Sequence, residues 1–88
     1  MTTDTELKKE IRELAPNVAR ARIKEYCIPR IYAEVLDAVC VERMQYMQAV
    51  CYLEREKNIC MSESQFKRNL AMALNMYRKA EAAAELSK

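Results

Sequence analysis

Apolar residues recur along this chain at helical spacing, in stretches punctuated by two prolines and one charged turn. Leu7, Ile11 and Leu14 fall at i, i+4 and i+7, which predicts one apolar stripe on a short helix over residues 4–14. Asp4 or Thr5 is the expected N-cap, because a short oxygen-bearing side chain satisfies an open amide at the helix start. Pro16 ends that helix, since proline disfavours helical geometry in the residue before it, and Asn17 is placed to cap a second helix over 17–28. There Val18, Ala21, Tyr26 and Cys27 gather on one side; Pro29 either kinks a continuous helix or stands in the first turn of a new one, and a break is the preferred reading.

Beyond Pro29 the chain contains neither Pro nor Gly. Ile31, Val35, Ala38, Val39, Met47, Val50, Cys51 and Leu53 keep an approximately helical period, predicting one long helix over 31–56. A second break near residues 40–43 is allowed by the pattern but not demanded by it. The charged run Glu54 to Asn58 closes this helix, with Asn a common C-terminal residue. After an Ile59-Cys60-Met61 connector, Ser62 stands three residues before Gln65, the spacing of a capping box. The last helix, over 62–84, carries the cleanest stripe: Phe66, Leu70, Ala73, Leu74 and Tyr77. Its other face shows Lys67, Arg68, Asn69, Met72, Asn75, Arg78 and Lys79.

The expected fold is therefore all-α. It is a single domain over 1–88, a bundle of three to four helices with a long central helix and a helix-turn-helix-like C-terminal pair. Composition strengthens this. Gly is absent, although it normally supplies the positive-φ turns of hairpins. A helix over 31–56 spans about 39 Å, longer than a compact domain of this size requires. Part of it is expected to project or to pair with a second copy, which predicts a homodimer.

Chemistry is constrained by what the sequence lacks. There is no His, so no imidazole could activate a cysteine or act near neutral pH. The four cysteines form no C-x-x-C pair and are expected to be reduced, mostly buried thiols rather than metal ligands. Glu34 and Asp37 lie i, i+3 on a helix, a spacing read here as a solvated face rather than a metal or acid–base pair. No phosphate-binding Gly-rich loop is present. These features predict a protein that is not an enzyme, with no cofactor and no metal. No apolar run reaches the roughly 20 residues of a membrane span, and the first residues have no signal-peptide character, so a cytoplasmic location is expected.

The net charge is only +2, but basic residues cluster. Arg20, Arg22, Lys24 and Arg30 form one group, and Lys67, Arg68, Arg78 and Lys79 another. From Gln45 to Tyr77 the chain reads as helix, short turn and capped helix. Leu53, Glu56, Ile59, Met61, Ser62, Phe66 and Arg68 stand where small accessory DNA-binding proteins of plasmids and phages carry their helix-turn-helix residues, with Asn58 in the turn region where those usually carry Gly. The chain resembles that group. The resemblance implies a DNA-binding regulator or accessory factor of a mobile element. Ser62 would cap the recognition helix and free its first amides for phosphate. Ser64, Gln65, Lys67, Arg68 and Asn69 would face the major groove, and Arg20, Arg22, Lys24 and Arg30 would meet flanking phosphates.

A second reading comes from the methionines. Met44, Met47, Met72 and Met76, with Tyr46 and Tyr77, suggest an adaptable apolar surface. Such a surface would dock the bundle on a larger protein as an adaptor, chaperone or inhibitor.

Overall fold

The computed structural model describes residues 3–86, and all of its regular structure is helical. Helix α1 (Asp4–Glu13) is capped by Thr3, one position ahead of the expected Asp4 or Thr5: Thr3 Oγ1 accepts the Glu6 amide hydrogen at 3.2 Å. Asp4 and Glu6 consequently fall in the first turn, where acids oppose the helix dipole. Leu7 and Ile11 are buried and Leu14 packs against them, as the stripe predicts.

Helix α2 (Pro16–Glu25) begins at the proline itself rather than at an Asn17 cap. At the first helical position the missing N–H has no partner to lose and the ring presets φ. The helix ends in a left-handed turn: Cys27 has φ 55°, its amide donates to the Lys24 carbonyl at 3.1 Å, and the Ile28 amide donates to Ile23 at 3.5 Å. The buried face is Ala19 and Ile23, with Tyr26 half-buried; Val18, Ala21 and Cys27 are exposed, against expectation. A ten-residue helix with weak amphipathicity offers two stripes, and its neighbours select one.

Pro29 breaks the helix and starts α3 (Arg30–Leu36), which continues into a π-helical turn (Asp37–Val41). The expected helix over 31–56 does not form. The Glu42 amide bonds the Asp37 carbonyl at 2.8 Å, the Met44 amide reaches back to Ala38 at 2.9 Å, and Arg43 adopts φ 58°. The chain re-enters helix as α4 (Tyr46–Lys57). A left-handed non-Gly residue costs about 1–2 kcal/mol. Redirecting the chain lets Ala49 and Leu53 become fully buried and seats Tyr46 and Val50 against the core, worth more than that strain. Met47 and Cys51, expected inside, are exposed. The long helix that suggested a homodimer is thus divided, and the described residues form five α-helices where three or four were expected.

Asn58, at φ 58°, closes α4, and the Ile59 amide bonds the Leu53 carbonyl at 3.0 Å. Helix α5 (Glu63–Leu86) follows; its 24 residues span about 36 Å, most of the molecule's 40 Å length. It is the spine of the fold. Phe66, Leu70, Ala73, Leu74 and Tyr77 are all buried on it, as the sequence predicts, and α3 covers it most extensively. Val35 and Leu36 of α3, Ala38 to Cys40 of the π turn, and the inner residues of α1, α2 and α4 complete one core. The cysteines depart from expectation: only Cys40 is buried, while Cys27, Cys51 and Cys60 are exposed.

Candidate nucleic-acid interface

The start of α5 is built by a reciprocal pair of bonds. The Gln65 amide donates to Ser62 Oγ at 3.2 Å and the Ser62 amide donates to Gln65 Oε1 at 3.1 Å. The capping box expected from the spacing is therefore formed. It fixes where the helix begins, and Phe66, fully buried, fixes its rotation. Ser64, Lys67 and Arg68 then face solvent on the first two turns. The Arg68 side chain makes no hydrogen bond or ion pair with any described residue, whereas Lys67 lies 3.4 Å from Glu63 one turn before it. Two of the expected base readers are committed elsewhere. Gln65 Oε1 serves the cap, and half-buried Asn69 places Nδ2 3.6 Å from Met61 Sδ.

The four expected flanking cations do not gather beside this helix start. Arg20 is held by two carboxylates: its Nε is 2.9 Å from Asp37 and an Nη2 contacts Glu42. These contacts, led by the Asp37 hydrogen bond, raise the guanidinium pKa above its already high ordinary value. Arg22 is half-buried against Tyr77, and its hydrogen bond to that phenol is the main cause of a raised pKa. Tyr77 lies thirteen positions after Ser64, roughly 20 Å along the helix, so Arg22 belongs to the other end of α5. Lys24 is exposed on α2. Arg30 alone approaches the turn, with Nη2 3.4 Å from the Lys57 carbonyl at the end of α4.

Other cations take their place. Tyr46, at the start of α4, leans on Phe66 with ring centroids 5.9 Å apart. Lys67 Nζ lies 5.8 Å from the Tyr46 ring centroid and Lys8 Nζ 5.7 Å from it, while Lys8 also donates to the Tyr46 hydroxyl at 3.1 Å. Cation–π contacts at such distances contribute about 0.5–1 kcal/mol each when exposed. Beyond Tyr46, Arg12 and Arg43 border a shallow cavity with Met44 and Gln45. A run of positive charge thus extends from α5 across Tyr46 to α1 and the loop before α4. Lys8, Arg12 and Arg43 carry no signal in the sequence because they come from separate stretches with no local clustering.

The expected Met and Tyr surface is dispersed. Tyr77 is 1% exposed, edge-on to Tyr26 at 5.1 Å, and so belongs to the core. Met44 and Met76 are half-buried, and only Met47 and Met72, on different helices, are openly exposed. Met72 Sδ is 3.8 Å from the Tyr32 hydroxyl.

Glu34 and Asp37 each face a cation, Lys57 at 3.7 Å and Arg20 at 2.9 Å. No group of three or more potential metal ligands occurs among the described residues, and no described helix is long and apolar enough to cross a membrane. No protein-family model, curated protein or solved structure matches the chain.

Proposed function

We propose that this protein is a small DNA-binding module, a regulator or accessory factor of a mobile element, that reads duplex DNA with the first turns of α5. The observation carrying this reading is the unpaired Arg68 on a box-capped helix, continuous with the cations Lys67 and Lys8 at the Tyr46 ring. An arginine there has the bidentate fork that suits guanine O6 and N7, and Ser64 suits several bases. The flanking phosphate contacts come from Lys8, Arg12, Arg43 and Arg30 rather than from Arg20 and Arg22, whose partners hold them elsewhere.

Docking on a larger protein through methionine is the weaker alternative, because the methionines that stay exposed do not form one strip.

The test is fluorescence anisotropy against random-sequence duplex DNA at about 50 and 200 mM salt. Neutralised phosphates release counterions, so non-specific affinity in the micromolar range should fall steeply with salt. A Lys67→Ala, Arg68→Ala double variant should bind far more weakly at the lower salt. Absence of wild-type binding at 50 mM would overturn the reading.

A further inference from the structure

The loop that replaces the middle of the expected long helix builds a concave site. Its cavity, of about 390 Å³, is lined by Arg12, Arg43, Met44, Gln45 and Tyr46. Two guanidinium groups border it, and no carboxylate among the described residues does. Each is oriented by a bond to a backbone carbonyl: Arg12 Nε to Val39 at 3.4 Å and Arg43 Nη2 to Arg12 at 2.8 Å. Their remaining N–H groups keep no acidic partner among the described residues. Glu42, the acid adjacent to Arg43, is turned instead to Arg20.

Two further features beside the cavity have the same sign. Gln45 precedes α4 without a side-chain cap bond, so the first amides of that helix have no side-chain acceptor. Lys8 stands at the Tyr46 hydroxyl, on the same ring that walls the cavity. Two guanidinium groups without acidic partners among the described residues, each tied to a backbone carbonyl beside one cavity, suit a tetrahedral oxyanion, because arginine donates in a planar fork. Met44 and Tyr46 supply an apolar wall, against which the ester carbons of a phosphodiester can also pack.

We infer that the Arg12–Arg43 cavity binds a phosphoryl group. Resting on the DNA-binding reading above, the group it holds in the complex is a backbone phosphodiester flanking the segment read by α5. Electrostatic continuity supports this source: Lys67 on α5 and Lys8 on α1 share the Tyr46 ring, joining the cavity to the helix start.

The test compares wild type with Arg43→Gly and with Arg12→Gln, Arg43→Gly. Glycine suits the left-handed backbone of position 43, so it removes the guanidinium without straining the turn. Thermal melting verifies that each variant is folded. Two titrations follow on the same samples: duplex DNA at several salt concentrations, and inorganic phosphate followed by amide NMR shifts of Tyr46 to Gln48.

Removing one phosphate-binding guanidinium should flatten the log K against log salt slope by about 0.9, and weaken binding at 50 mM roughly tenfold. The double variant should therefore flatten the slope by nearly 2, and phosphate should no longer shift the α4 amides. If DNA binds but slope and affinity are the same in all three proteins, the phosphodiester assignment is overturned while DNA recognition by α5 stands. If phosphate shifts the wild-type amides and not those of the variants, yet DNA does not bind, the cavity takes a free phosphoryl group and the DNA reading fails. If neither titration distinguishes wild type from variants, the site is overturned altogether.

Discussion

Ser62 and Gln65 satisfy each other's backbone amides at 3.2 and 3.1 Å, so the side chain that would read an adenine is already spent on starting its own helix. Both groups are exposed, and the box is a local device at the first turn of α5. Ser62→Ala should destabilise the fold by about 1 kcal/mol, which lowers Tm by roughly 4–8 °C in a domain this small. Calorimetry of the variant measures this. An unchanged Tm would mean that burial of Phe66 alone sets the helix start.

Three non-glycine residues, Cys27, Arg43 and Asn58, occupy left-handed backbone. Asn tolerates that conformation through its short polar side chain, whereas Cys and Arg do not. Cys27 is exposed and its thiol makes only a long contact, 3.7 Å, to the Glu25 carbonyl. Cys27→Gly should therefore stabilise the protein by about 0.5 kcal/mol, the relieved strain being partly offset by the greater freedom of unfolded glycine. Urea unfolding gives the comparison; a destabilised variant would show that the thiol packs usefully in the α2–α3 turn.

Burial pushes the Cys40 thiol up to about 11 from an ordinary value near 9, against the opposing influence of Arg12 and Lys8. The folded state thus favours the protonated thiol. Its contribution to stability is complete below about pH 9 and is lost as pH rises towards 11, a loss of roughly 1–3 kcal/mol. Cys40→Ala should flatten the decline of stability across that window, leaving the later contribution of the raised Tyr26 and Tyr77 phenols. A thiol reagent at neutral pH should modify three cysteines quickly and the fourth only on unfolding. Four equally fast thiols would contradict the burial of Cys40.

Arg20 and Arg68 are both exposed arginines, but only Arg20 is paired, with Asp37 and Glu42. Arg20→Ala should leave the salt dependence of DNA binding nearly unchanged, because its charge is already balanced by those two carboxylates. Arg68→Ala should weaken binding at every salt concentration. Because the Arg20 cluster is exposed, its removal should change stability by no more than about 1 kcal/mol. Anisotropy titrations of the two variants make the comparison, and equal losses of affinity would show that pairing does not decide which arginine meets DNA.

The sequence alone determined the helical class, the stripe of α5, the inner face of α1 and the capping box at Ser62, and at Pro29 it left a kink and a break both open. Each feature it determined rests on interactions within a few residues, or on an apolar period strong enough to admit one face. It did not determine the break at residues 42–45, the inner face of α2, or the union of Lys8, Arg12 and Arg43 around Tyr46. There the local preferences are weak: no residue forbids helix at Arg43, and the amphipathicity of α2 is too slight to name its inner face. The tertiary structure decided these because burying Ala49 and Leu53 against α5 outweighs the strain of a left-handed Arg43. The cations then meet as a consequence of that turn, from positions that share no pattern along the chain.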